Sequence, residues 1–343
     1  MSNFMKSIKH IIFCLIIFSN TSFGKEFDEL FIIYERIESA SKIEQSINNS
    51  FNTMIYRLSG NSSPSNIWKI INAGNTRKDF IKSYSIKNLS EESFLQVYFD
   101  KDLLIKKFNE LSIPIIGNSR PVILFLIKID SGSEDPYYLS ASEFNSKFDS
   151  LIVNLLKDTS LSRGIFLELP EFDLFNKNEL SKNEKILNSN NFIASQYESD
   201  AIIQINITNI GISSWAITGD INQPYQGNNF NDFFIDVFNK LLVAKVDKLL
   251  KNYLIDISKE NLITITIDNI NNFDNYKKSK TIIENLIGIK EIDISRFRIN
   301  KITYKIKIFG DINDVIKGLS SNSFIEINDI FIDTNSLELT FNE

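Results

Sequence analysis

Three apolar runs constrain this chain more than any other feature: VILFLIKI at 122–129, GIFLEL at 164–169 and AIIQINI at 201–207. Near-continuous apolar strands of this kind are buried on both faces, so something must cover the sheet on each side. The intervals between them carry helical patterns around Glu143 to Lys157 and Glu184 to Tyr197. Strand and helix in alternation predict a parallel or mixed sheet with helices on its faces. A strand around Trp215 to Ile221 and a long helix from Phe233 to Leu250 complete a central α/β domain at 120–251. DSGSEDP and INQPYQGNN are turn-rich surface loops within it.

An N-terminal α/β segment at 25–119 precedes this domain. LFIIYERI opens it as a strand, and Ile43, Ile47, Phe51, Met54, Ile55 and Leu58 form the apolar stripe of a helix stopped by Ser59 and Gly60. FLQVYF is the next strand, and Asp100 caps the helix KDLLIKKFNEL. Pro114, Gly117 and Pro121 then break the chain in IPIIGNSRP. At 252–343 the order becomes strand, helix, two strands, helix, strand, which predicts a C-terminal ferredoxin-like βαββαβ domain. The expected class is α/β (α+β), with mixed sheets covered by helices.

Residues 1–24 have a different character. Lys6 and Lys9 precede the apolar run IIFCLIIF, and Ser22 and Gly24 are small residues placed for a cut before Lys25. This pattern predicts a secretory signal peptide cleaved after Gly24, and a periplasmic protein. No apolar run approaches the roughly 20 residues that a membrane-spanning helix needs. The single His10 and the single Cys14 both lie in this leader. Cys14 follows Phe13 in mid-run rather than a small residue at its end, which argues against a lipid-anchoring cysteine.

Cleavage has two consequences. Of 37 basic and 43 acidic residues it removes two basic and no acidic ones, so the net charge moves from −6 to −8, unsuited to nucleic acid. The mature chain also loses its imidazole and its thiol. Ser-His-Asp and Cys-His catalysis, His-ligated zinc, disulfides and c-type haem attachment are then excluded together, and no metal or cofactor is expected.

Other chemistries find little support. Ser39-Ala40-Ser41-Lys42 matches S-x-x-K, but no K-T-G follows. Neither a G-x-G-x-x-G nor a Walker loop is present, and no calcium-binding D-x-[DN]-x-[DN]-G loop occurs. Paired carboxylates for glycoside cleavage need only Asp and Glu, and no one pair stands out. One basic feature does. Arg296, Arg298, Lys301, Lys305 and Lys307 alternate with Phe297, Ile299, Ile302, Tyr304, Ile306 and Ile308, which on a hairpin gives a cationic open face over an apolar one. Such a face either is ordinarily solvated or meets an acidic partner or an anionic glycan.

The stretches SFNTMIYRLSGN, FLQVYFDKDLLIKKFNELSIPIIGNSRPVILFLIKID and ASQYESDAIIQINI resemble, in this order, an uncharacterised family of secreted Gram-negative proteins, catalogued as domain of unknown function (DUF) number two thousand and sixty-six. The resemblance runs from about Phe31 to Leu250. Its matching positions are Arg57, Gly60 and Asn61; Phe99 and Asp100; Pro114, Gly117, Arg120 and Pro121; and Tyr197, Asp200 and Ala201. Where the family pattern has Trp before the loop glycine, this chain has Ile116. The resemblance implies an envelope address and no reaction.

Arg57, Asp100 and Arg120 are the candidate binding residues. Arg120 is expected near Asp100 if their neighbouring strands pair, either as a structural clamp or as a binding site for carboxylate or phosphate. The expected function is a non-catalytic binding or adaptor protein whose partner is an envelope protein or cell-wall component. The alternative is a carboxylate-dependent hydrolase of envelope glycan.

Overall fold

The computed structural model describes residues 24–37, 42–89, 92–171 and 189–342. The leader residues His10 and Cys14, and Ser39 to Ser41 of the S-x-x-K match, lie outside them.

After β1 (Lys25–Glu26) come β2 (Ile32–Arg36), α1 (Ile43–Ser59), α2 (Ser65–Asn72), β3 (Ile81–Leu89), β4 (Glu92–Phe99) and α3 (Lys101–Glu110). The stripe read from the sequence is the face α1 buries: Ile47, Phe51, Met54, Ile55 and Leu58 are all in the core. They pack with Ile33, Leu95 and Val97 of an antiparallel sheet in the order β2-β4-β3. Gly60 ends α1 with φ of 65°, a left-handed turn that a side chain resists, and a Cβ there would strike Ile116. Asp100 caps α3, accepting a hydrogen bond from the Leu103 amide at 3.0 Å.

The central elements are β5 (Ile115–Ile116), β6 (Ser119–Arg120), β7 (Val122–Asp130), β8 (Tyr137–Tyr138), α4 (Lys147–Arg163), β9 (Phe166–Glu168), α5 (Ser189–Ala194), β10 (Ala201–Gly211), β11 (Ser214–Gly219), β12 (Gln223–Gln226) and α6 (Phe230–Leu250). The three apolar runs are adjacent parallel strands, with β7 between β10 and β9. Antiparallel β8, β11 and β12 make the sheet mixed. On one face Ile123, Phe125, Ile127 and Ile129 meet α4 and α6, whose Phe230, Phe234, Phe238, Leu242, Val246 and Leu250 fall every fourth residue. On the other, Leu124 and Leu126 meet Ile193 of α5. Covered strands need both partners, which is why β7 alternates in neither direction.

The remaining elements are β13 (Leu254–Ile255), β14 (Glu260–Ile270), α7 (Phe273–Asn285), β15 (Ile289–Arg298), β16 (Asn300–Phe309), α8 (Ile312–Ser320), β17 (Ile325–Phe331) and β18 (Ser336–Phe341). Their sheet has the order β15-β16-β14-β18-β17. Through β17 the succession is the expected βαββαβ. A last strand, β18, then enters beside β14 in parallel and separates it from β17, so the sheet has five strands and is mixed. The described chain is thus α+β with mixed sheets. No described helix is long and apolar enough to cross a membrane.

The loop IPIIGNSRP gives Ile113 and Ile115 to the N-terminal core and Ile116 to the central one, and its backbone and Asn118 reach the C-terminal residues. β5 pairs with β13, and β6 with β1. Asn118 accepts the Ile287 amide through its side chain at 2.8 Å and the Phe27 amide through its carbonyl at 3.4 Å. Ile255, Ile257, Ile287 and Phe309, all beyond residue 252, complete the N-terminal core.

Candidate functional site

Arg57 and Arg120 come together, but inside the protein. Arg120 is fully buried and Arg57 nearly so, and Arg163, at the end of α4, is a third buried arginine beside them. Arg57 donates to the carbonyls of Glu29 and Leu30, each at 3.0 Å, of Ile32 at 2.7 Å, and of Leu161 in the last turn of α4. Its guanidinium also lies over the Phe27 ring at 5.4 Å. Gly164, with φ of 57°, makes room for it: a Cβ there would stand 2.8 Å from Arg57 Cγ. Arg120 in turn donates to the Arg57 carbonyl, in the last turn of α1, at 2.9 Å.

Two cations are therefore held by the carbonyl ends of two helices, where the macrodipole is negative. Among the described residues Arg163 is the one of the three with an ion-pair partner, Asp247 of α6 at 2.6 Å, which also accepts from Ser62. Burial lowers the Arg57 pKa to about 9. Burial, with the neighbouring charges of Arg57 and Arg163, lowers that of Arg120 to about 9 as well. Both stay charged at neutral pH. The Nε atoms of all three, and Nη2 of Arg120, have no hydrogen-bond partner among the described residues.

Asp100 does not join them. The expected proximity required β4 to neighbour the strand that follows Arg120, but β4 lies between β2 and β3, in another sheet, and Asp100 is engaged as the cap of α3. The arrangement of Arg57 and Arg120 is a clamp across β1, β6 and the ends of α1 and α4.

The hairpin cations are distributed differently. Ile302, Tyr304, Ile306 and Ile308 are fully buried, and Lys301, Lys305 and Lys307 project from the other face of β16. That face is of mixed charge. Lys301 pairs with Asp268 at 2.9 Å, and Lys307 shares Glu260 with Lys290, at 3.1 and 2.5 Å. Hydrogen bonds from Lys290, then Lys307, hold the Glu260 carboxyl below its ordinary range. Among the described residues Arg296, Arg298 and Lys305 have no ion-pair partner.

Two concavities among the described residues bear on the site. One, of about 20 Å³, lies among Gly117, Asn118, Tyr253, Ile287, Asp314 and Lys317 and has room for about one water. The other, of about 490 Å³, is within the size range of small-molecule sites. It is an open groove where the β10–β11 hairpin meets the start of α6. Trp215 lines it, its ring stacked on Phe230 at 4.4 Å and 11°. Around the indole stand Ser213, Asn228, Asn229, Asn231 and Asp232. The Ser213 hydroxyl donates to Asn228 at 2.8 Å, and Tyr225, itself stacked on Phe233, accepts the Asn229 amide at 3.1 Å.

In the sequence these residues show only a strand and a turn-rich loop. The available signal was a tryptophan a short interval before the amide run QGNNFND. Among the described residues no group of three or more His, Cys, Asp or Glu is placed to hold a metal ion. Comparison with protein-family models, curated proteins and solved structures returns no match for this chain.

Proposed function

We propose that this chain is a periplasmic, non-catalytic binding or adaptor protein of the Gram-negative envelope, and that the groove beside Trp215 is the surface it offers to a cell-wall glycan. The observation that carries this reading is the groove's lining. An indole backed by Phe230 offers a flat apolar face to the C–H side of a sugar ring. Exposed Asn228, Asn229, Asn231 and Asp232 offer donors and acceptors to its hydroxyls. Glycosidic cleavage needs two carboxyls flanking the bond. The groove is lined by one, Asp232, and the smaller concavity by one, Asp314, which favours holding a glycan over cutting it. The leader pattern of residues 1–24 and the resemblance to the secreted DUF family support the envelope address.

The test is titration of the chain with soluble peptidoglycan fragments. Trp68 and Trp215 are the two tryptophans, so a Trp68→Phe background isolates the groove's fluorescence. The expected result is a saturable change, weakened about tenfold or more with Asn229→Ala/Asp232→Ala, whose side chains are exposed and whose loss leaves the core intact; calorimetric titration, which needs no tryptophan, should show binding lost with Trp215→Ala. Unaltered binding by these variants overturns the site. Release of shortened glycan by the purified chain overturns the non-catalytic reading. N-terminal sequencing of the exported chain, expected to begin at Lys25, checks the address.

A further inference from the structure

The outer edge of the C-terminal sheet carries an inference independent of the groove. β15 is the terminal strand of that sheet, and its outward N–H and C=O groups pair with no described strand. An open edge of this kind is a template for another strand. This one is also apolar where it is most accessible: Ile294 is 51%, Phe297 64% and, at the turn, Ile299 93% exposed.

A bulge at Ser295 sets which side chains share a face. Ile294 stands opposite Tyr304 and Arg296 opposite Thr303, so Ser295 is extra. Before it, Glu291 and Asp293 face Lys307 and Lys305; after it, Arg296 and Arg298 face Thr303 and Lys301. All four charges therefore lie on the open face, and without the extra residue Arg296 and Arg298 would turn to the apolar side. Ile292, Ile294 and Phe297 occupy that apolar side, opposite Ile306, Tyr304 and Ile302. Along the edge the charges thus read acid, acid, base, base.

An acidic segment laid on this edge meets Glu291 and Asp293, and a basic one meets Arg296 and Arg298. A strand with the same charges in reverse order satisfies all four. We propose that the partner is a second copy of this chain, paired antiparallel through β15 about a two-fold axis at the Ile294–Ser295 bond. Glu291 then faces Arg298 of the second copy and Asp293 faces Arg296, each twice by symmetry. On the apolar side Ile292 faces Phe297. The interface is isologous, and the two five-stranded sheets become one of ten. Parallel self-pairing sets like charge against like and is disfavoured.

Sedimentation of the full chain over a concentration series tests this. The expected result is a monomer–dimer equilibrium, with amide exchange of residues 291–298 slowing as concentration rises. Arg296→Glu/Arg298→Glu makes the edge wholly acidic, and Glu291→Arg/Asp293→Arg makes it wholly basic. Each alone should dimerise at least about tenfold more weakly. An equimolar mixture of the two variants should associate again, as a heterodimer. The substituted side chains are exposed, and an unchanged far-UV circular dichroism spectrum confirms that the variants fold. A wild-type monomer at about 1 mM with no concentration-dependent protection of β15 overturns the proposal. So does a dimer that persists in both variants, or a mixture that fails to associate.

Discussion

Arg57 and Arg120 sit in a buried junction of two helix ends, whereas Lys301 and Lys307 stand on a solvent-facing sheet face, and the two groups are held by different means. The buried pair is matched chiefly by backbone carbonyls and helix dipoles, with the Glu29 carboxylate adding a longer-range attraction to Arg57. The exposed pair is matched by carboxylates that water largely screens. In the junction the carbonyls depend on the cation as much as the cation depends on them. On the sheet face either partner is readily replaced by solvent.

The sharpest way to break this contrast is Arg57→Met. Methionine fills much of the volume but leaves the carbonyls of Leu30, Ile32 and Leu161 without the arginine's donors, while that of Glu29 keeps the Ile32 amide at 3.1 Å. A loss of about 3–4 kcal/mol is expected in chemical denaturation, because buried acceptors left unpaired keep their desolvation cost. A loss below about 1 kcal/mol would mean that water replaces the arginine there.

Arg120→Met separates the two buried cations from each other. Among the described residues Arg120 makes one hydrogen bond and leaves Nε and Nη2 without partners, and it is repelled by Arg57 and Arg163. Replacing such a charge by an apolar side chain of similar size is often neutral or stabilising. The expected change is within about 1 kcal/mol of zero, toward stabilisation. A loss as large as that of Arg57→Met would show that the cation at Arg120 is itself required to hold the ends of α1 and α4.

Asp314 extends the comparison to a negative charge at an interface. Burial, the largest cause, raises its pKa; the backbone amide of Asp311, which it accepts at 2.9 Å, acts the other way. A carboxyl with a raised folded-state pKa is held protonated to higher pH than in the unfolded chain. Its favourable contribution is therefore present below the ordinary Asp range and lost as pH rises through the raised value. Asp314→Asn keeps an acceptor for the Asp311 amide and removes the charge. Stability should rise at pH 7 by less than about 1 kcal/mol, since water still reaches the side chain, and should be unchanged at about pH 3. Equal effects at both pH values would rule out burial of charge as the cause.

What the sequence disclosed follows the same division between local and long-range causes. The stripe of α1, the Asp100 cap and the two-sided burial of β7 depend on near neighbours, and each is visible in a window of residues. β3 was not visible. It is an edge strand whose Tyr84 and Ile86 are exposed, so no alternation of burial marks it, and β4 supplies its hydrogen bonds. The burial of Arg120 depends on β1, far earlier in the chain, and on the ends of α1 and α4. An arginine beside a Pro-Gly loop reads as a ligand-binding residue until those elements close over it. The Trp215 groove likewise exists only where a hairpin tip meets the start of α6.

The smallest expected effect is on the sheet face, and it is the control that gives the others their meaning. Lys301 and Asp268, 2.9 Å apart with both side chains more than a third exposed, stand on paired strands β16 and β14. A double-mutant cycle with Lys301→Ala and Asp268→Ala should give a coupling below about 0.5 kcal/mol. It should fall further as salt shortens the Debye length from about 10 Å at 0.1 M to about 3 Å at 1 M. Arg57→Met, measured across the same salt range, should keep its full cost, because its partners are carbonyls in the interior. If the Lys301–Asp268 coupling instead resists salt, water does not screen that face as its exposure implies. The distinction between the two cation clusters would then be one of degree.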